Sequence, residues 1–543
     1  MPKPTVVFAP DSAEKLKQGF DTLANLLAIK LGPSQGIVLN DKDTSDAPEA
    51  LSDAATIARR IIALPDRQRD IGAMLLRNTV WRVHQRVGDG TAMTAVLAQA
   101  ILASAYRSVV AGASAVAVQR GIQRAGDVVL QTLRQMATPA DDWETLAAVG
   151  HAVTGRQVLG DVLAELIELL GSDAEVTIKD YLSPVIERTF VQGASVGGEL
   201  ISPYMITAPG AQKAIVTPCQ IVLYAGKIHE AADVMPLMRL AQARVAHGVP
   251  FNVLVVGYEF TDEAKQALVG LHTHPKSRGN IIAFSTTRGG VTGLEDMEDL
   301  ALLTGATVLG PDKGLMLRGI RPNQIGFAHR IEANKEELLI VRGVGDRAPI
   351  EEQIARLDAQ ATKLEFDDDQ LKRNRMRRAR LANERAILRL GALTKAEREF
   401  LHRKAEQGVK TVKAAKRMGV LPGCGSAFVR CVPAIAALLA DAQGDERAGI
   451  RAVRDALAAP LQQIVRNACP VVPEVVAQEQ LTQPAGYVFD VMQARWVDAA
   501  DNGLLDSAEV LTVAFETAVS GTVMALSIDC VVHKKKPKLS YDP

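Results

Sequence analysis

The spacing of hydrophobic positions changes character twice along the chain. From Asp11 to about Met136 apolar residues recur at helical intervals. SAEKLKQGFDTLANLLAIKLG follows a Ser12 cap and closes at Gly32, and RDIGAMLLRNTVWRVHQRV continues the pattern. Between about Gly193 and Gly345 the short β-branched runs QIVLYA, FNVLVVG and NIIAFST alternate with helical stretches such as EAADVMPLMRLAQARVAHG, which predicts an α/β domain. A charged helical region, APIEEQIARLDAQATKLEFDDDQLKRNRMRRARLANERAI, comes next; the remainder is helical and ends in the basic HKKKPKLSYDP. Helical ends around an α/β middle require the chain to leave one domain, build another and return. Connecting pieces are expected near residues 137–192 and 385–417.

At 543 residues the chain is too long for one ordinary core, and two to four domains are expected, of α and α/β class. The 62 basic residues balance 62 acidic ones, so global charge recruits neither nucleic acid nor an anionic membrane. Aromatic residues at 4% argue against nucleobase stacking as the main activity. The run LKRNRMRRAR follows EFDDD and reads as solvated pairs along a helix rather than a nucleic-acid patch. Five cysteines without CxxC spacing indicate neither a zinc site nor a disulfide framework. His272 and His274 read as a surface turn. No apolar segment has the uninterrupted length of a membrane span, and the start of the chain lacks a signal-peptide pattern, so a reducing, cytoplasmic compartment is expected.

The stretch VGDGTAMTAVLAQAIL carries the clearest chemistry. Gly88 and Gly90 free the backbone for a tight approach, and a helix starting at Thr91 offers unpaired N–H groups to an anion. Asp89 would repel a phosphate unless a divalent cation lay between them, so the combination suggests a Mg-nucleotide. A capped glycine-rich turn is the alternative that this stretch leaves open.

Seven motifs in order narrow the choice. LGPSQGIVLND, VGDGTAMTAVLAQAI, ISPYMI, LLTGATVLG, GVLPGCGSAFVR, AAPLQQIVRNA and GLLDSAEV resemble, in the same sequence order, LGPKGRNVVLD, GDGTTTATVLAQAI, LSPYFI, LTGGTVIS, GVVAGGGVALIR, EAPLRQIVLNC and GILDPTKV of the group I chaperonins, the double-ring 60-kilodalton class. The resemblance spans essentially the whole chain. It implies a chaperonin fold with a helical equatorial domain from residues 1–136 and 418–543, a small intermediate domain from 137–192 and 385–417, and an α/β apical domain at 193–384. It also implies ATP and Mg²⁺ as cofactors, with Asp89 as metal ligand and Asp53 organising the metal and the attacking water. The nucleotide pocket would take Lys30, Leu31, Gly32, Pro33, Gly90, Thr91, Ala92, Met93, Gly423, Cys424 and Gly425, with Asp506 at the ribose and Asp490 near the adenine. Non-native polypeptides would bind Leu200, Tyr204, Met205, Met235, Met238, Leu268 and Val269, although Met235 and Met238 are also spaced as the core stripe of a helix.

Departures from the family pattern shape the expected activity. Gln407 stands where the family has the aspartate that positions the hydrolytic water; an amide has no usable basic pKa, so hydrolysis is expected to be weak or lost and enzymatic activity is left open. Glu406 is adjacent but points about 100° away on a helix. Cys424 replaces a glycine near the ribose, and Ala92 and Met93 replace two threonines of the phosphate cradle. Ser34, Gln35 and Gly36 replace Lys-Gly-Arg. Lys30 replaces a threonine and reads first as a solvated lysine at a helix end, second as a cation compensating for a weakened metal site. One hinge glycine is matched by Gly193, whereas Asn383 and Glu384 stand where the family has a glycine pair. The expected function is a chaperone subunit that binds ATP and unfolded chains in a homo-oligomeric ring, with room for a co-chaperonin lid. The alternative is a non-catalytic partner in a ring mixed with an active paralogue.

Overall fold

The computed structural model describes residues 5–34, 36–41, 49–51, 53–61, 63–181, 183–191, 193–237, 252–274, 279–286, 289–361, 363, 369–382 and 385–533. Gln35, Met238, Asn383, Glu384 and the lysine-rich tail from residue 534 lie outside these. The chain forms two compact units. Unit 1 comprises residues 1–172, 180–186 and 390–543, and unit 2 comprises 173–179 and 187–389.

Unit 1 is mainly helical, as the spacing of apolar residues predicts. Its core gathers Leu16, Phe20, Leu97, Ile101, Phe428 and Phe515 from segments far apart in sequence. The helices Asp11–Ala28 and Arg67–Val87 meet backbone to backbone, because Gly19 lies against the Arg69 carbonyl and Gly72 against the Leu16 carbonyl, leaving no room for a Cβ on either glycine. Contrary to the expectation from sequence, two helices, Thr91–Val110 and Ala508–Leu526, are long and apolar enough to cross a membrane. They lie in the core instead, with 50% and 61% of their most apolar windows buried, and the Thr522 hydroxyl donates to the Ala98 carbonyl at 3.2 Å. Helices Trp143–Thr154, Gln157–Leu170 and Lys395–Met418 also belong to unit 1. Among the described residues four two-stranded sheets complete it. Thr5–Phe8 pairs antiparallel with Cys530–His533, joining the chain's two ends, and Val38–Asn40 pairs with Glu49–Leu51.

Unit 2 holds an eight-stranded mixed sheet. The β-branched runs noted above become the parallel strands Cys219–Ile228, Val253–Phe260 and Ile281–Thr286, with Val308–Leu309 parallel at the edge. Ala194–Leu200, Glu337–Gly343, Gly326–Ala333 and Ala214–Val216 continue it antiparallel. Gly326–Ala328 also pairs with Cys219–Ile221, so six strands close into a ring around a core that includes Leu223, Val255, Phe284 and Ile331. The segment EAADVMPLMRLAQARVAHG is described only to Leu237, and residues 231–237 are helical.

The basic run of the helix Asp369–Leu381 keeps one solvated pair, Lys372 with Asp369 at 3.4 Å, but otherwise corrects the reading of solvated pairs. Arg377 and Arg380 are buried; Arg377 donates to Asp299 at 2.8–3.2 Å and Arg380 to Asp296 at 2.7 Å and Asp299 at 3.1 Å. Both aspartates belong to the helix Gly290–Thr304. These two charges are consumed in packing one helix onto another. Partners distant in sequence, which local charge patterning cannot reveal, decide that outcome.

Candidate functional site

Two helix ends meet at the GDGT turn. Gly88, at φ +81°, closes the helix Arg67–Val87, and Gly90, at φ +86°, is the N-cap of the helix Thr91–Val110. Having no side chain, Gly90 cannot cap the helix, and the first-turn residues Thr91, Ala92 and Met93 line a cavity of about 350 Å³. This is the arrangement of uncapped amides and helix dipole that attracts an anion. A Cβ on Gly90 would press on Val510 at 3.1 Å, and one on Gly88 on Lys410 at 2.9 Å. Lys30, Leu31, Gly32 and Pro33 line the same cavity.

Lys30 is not the solvated lysine expected from sequence. It is 7% exposed and its Nζ donates to the Gly36 carbonyl at 2.6 Å. Burial lowers its pKa, the nearby Lys404 ammonium lowers it further, and Asp53 opposes both. A buried cation therefore stands on the wall of the cavity. Asp53 is the N-cap of Ala54–Arg60, its Oδ1 accepting from the Ala55 and Thr56 amides at 2.9 and 3.1 Å.

The opposite end of the cavity is built by strands. Val420–Pro422 pairs with Leu505–Ser507 and delivers Gly423 and Cys424 beside Asp506. Cys424 adopts φ +57°, a left-handed conformation that favours glycine, and its thiol is pushed up to about 12 by burial, with Asp506 and Asp490 adding to the effect. Asp506 is pushed up to about 7, first by burial and then by the charge of Asp89. Asp490, at the end of the strand Tyr487–Asp490, is held by the Met492 and Gln493 amides at 2.8 and 3.3 Å.

Gln407 reaches the end of this cavity formed by the GDGT turn. From the helix Lys395–Met418 its Nε2 donates to Asp89 Oδ1 at 3.0 Å. Glu406 does not line this cavity; it is exposed and lies 3.5 Å from His402. The structure thus brings Lys30 through Pro33, Asp53, Asp89 through Met93, Gln407, Gly423, Cys424, Asp490 and Asp506 around one space. Gly425 sits behind it as the N-cap of the short helix Ser426–Val429. Sequence reasoning missed Lys404 and Thr411, which also line the cavity. They stand three residues before and four after Gln407, so they share its helical face, a signal that spacing offered.

Among the described residues no group of three or more His, Cys, Asp or Glu is arranged to hold a metal. The donor set nevertheless suits Mg²⁺, which commonly takes one or two carboxylates plus phosphate oxygens, and Asp89 and Asp53 both line the cavity.

The polypeptide-binding residues suggested by sequence lie in unit 2 and divide by burial. Tyr204 is 75% and Met235 43% exposed, and Val269 is partly buried. Leu200, Met205 and Leu268 are buried in the core of the unit, and the Ala283 amide donates to Met205 Sδ at 3.3 Å. Met238 lies outside the described residues.

Fold and cavity are now in place, and comparison with known proteins gives the family. The sequence model of the TCP-1/cpn60 chaperonin family matches residues 23–205 and 237–536, so the chain belongs to that family. The chaperonin gp146 of bacteriophage EL 2 (Pseudomonas aeruginosa), crystallised in presence of ATP-BeFx, is similar in two crystal forms. Form I aligns with TM-score 0.75 at 17% identity and form II with TM-score 0.66 at 18% identity, each covering 98% of this chain and 99% of that one. The fold is the multidomain α and α/β chaperonin fold.

Proposed function

We propose that this chaperonin binds ATP with Mg²⁺ in the 350 Å³ cavity and hydrolyses it slowly or not at all, while unit 2 holds non-native polypeptides. The hydrogen bond from Gln407 to Asp89 carries this reading. A carboxylate at position 407 would face Asp89 across the same gap and require a cation between them. The amide removes that repulsion, but it accepts no proton from water and orients water less strongly than a carboxylate. The uncapped Thr91 helix would meet the phosphates, Asp89 with Asp53 would hold Mg²⁺, and Asp506 and Asp490 would approach ribose and adenine. When bound, the metal would neutralise phosphate charge. The ATP-BeFx in the gp146 crystals supports nucleotide as the ligand class.

The domain division proposed is equatorial for residues 1–136 and 418–543, intermediate for 137–192 and 385–417, and apical for 193–384. In the apical part Tyr204 and Met235 are the exposed apolar contacts for clients, and methionine suits varied partners because it is flexible and polarizable. A ring assembled through the equatorial parts is supported by two small sheets with open edges and exposed Val6, Phe8, Ile37, Leu39 and Val532. The proposed compartment is cytoplasmic. Gln407 also favours a second reading, a non-catalytic subunit in a ring with an active paralogue.

Aggregation of a denatured client, followed by light scattering, tests the client site. The protein is expected to suppress aggregation and the Met235→Glu variant to do so several-fold less well. Equal suppression by both would place the client site elsewhere.

A further inference from the structure

A second cavity, of about 510 Å³, shares a wall with the first: Asp53, Lys404 and Gln407 line both. It lies within unit 1, between Ala54–Arg60 and Arg67–Val87 on one side and Lys395–Met418 on the other. Its charge is unbalanced. Arg59, Arg60, Arg77, Arg403, Lys404 and Lys410 line it, against the carboxylates Asp53 and Glu406. Asp53 accepts from the amides of the helix it caps, and Glu406 lies 3.5 Å from His402, so two carboxylates face six basic side chains. Among the described residues Arg59, Arg77, Arg403 and Lys410 form no ion pair.

Burial lowers Lys410, with Glu406 opposing; burial lowers His84, and the charge of Lys410 lowers it further. Basic side chains from three helices thus line a space large enough for a small ligand. The Trp81 ring is already occupied, with the Arg59 guanidinium 4.9 Å from its centroid and the His84 ring stacked at 5.0 Å.

We propose that this second cavity binds an anion of the phosphate class, which bridges Arg59 and Arg77 to Arg403 and Lys410 and so holds the helix Lys395–Met418 over the first cavity. Guanidinium groups match phosphate geometry in forked, charge-assisted hydrogen bonds, and an anion is what the facing cations lack. Because Lys404 and Gln407 belong to both walls, such an anion would restrain two side chains of the nucleotide cavity. The binding itself does not depend on the nucleotide reading.

The test is calorimetric titration of the full-length protein, first saturated with ADP and Mg²⁺, with inorganic phosphate in one arm and further ADP in the other. One added equivalent of phosphate would assign the site to the free ion, and a second equivalent of ADP would assign it to the phosphate end of a nucleotide. Either is expected to weaken at least tenfold in the double variant Arg403→Gln, Lys410→Gln and to stay unchanged in Arg82→Gln, an exposed residue of the same arginine-rich helix that lies off the cavity. The single variant Arg403→Gln, at an exposed position, guards against misfolding and should show at least a threefold loss. In phosphate-free buffer the double variant should melt close to the wild type. Absence of binding in both arms, or binding unaffected by the double variant, would overturn the proposal. Phosphate that binds only before ADP is added would belong to the first cavity and would overturn it equally.

Discussion

Cys424 pairs a left-handed backbone with a thiol buried against two carboxylates, and both features bear on its reactivity. With its pKa pushed up to about 12, the thiolate is scarce at pH near 8, where alkylation of free cysteines is ordinarily run. Peptide mass analysis after brief iodoacetamide treatment should find exposed Cys530 modified and Cys424 intact. Equal labelling would mean that the cavity is open at that end. Asp506 yields a prediction with a definite sign. The native state keeps a proton up to about pH 7, whereas the unfolded chain releases it near 3.8, so between these values the native state binds more protons and stability falls as pH rises. Urea denaturation of nucleotide-free protein in EDTA should show Asp506→Asn gaining on the wild type between pH 5 and pH 7.5; parallel curves would refute the shift. Residues of this site were legible in sequence where the chemistry is local, as at Asp89 between two glycines. The partner of Asp89 was not, because Gln407 is 318 positions away, and neither was the burial of Lys30, which depends on how the following loop folds back.

Elements were legible by period, and their packing was not. Helical spacing found Asp11–Ala28 and Arg67–Val87, and β-branched runs found the parallel strands of unit 2. Burial of Arg377 and Arg380 against Asp296 and Asp299 escaped, because an amphipathic pattern does not distinguish charges that face water from charges that face another helix. Removing one partner of a buried ion cluster strands the other. Arg380→Met is therefore expected to cost unit 2 about 3 kcal/mol, read by urea denaturation, and a loss below about 1 kcal/mol would mean that water reaches the cluster. At the start of the Thr91 helix, Gly90→Ala forces a methyl toward Val510 in a left-handed conformation. It should cost at least about 1 kcal/mol and weaken nucleotide binding together with stability.

For the whole molecule, the order of the seven motifs revealed the architecture because the helical ends and the α/β middle must be joined by a chain that goes out and returns. Unit 1 accordingly collects both ends of the sequence, down to the pairing of Thr5–Phe8 with Cys530–His533. Assembly is argued from that sheet. For the proposed ring, replacing exposed Phe8 with Asp should shift the assembly to smaller species in mass photometry, and an unchanged distribution would remove the sheet from the interface. The central claim, a nucleotide site that holds but barely turns over its ligand, has one direct measurement: steady-state phosphate release beside equilibrium ATP binding, with Mg²⁺, for the wild type and Gln407→Asp. The account predicts binding by both, negligible release by the wild type and release raised at least tenfold by the variant. Rapid release by the wild type, or absence of ATP binding by either protein, would contradict it.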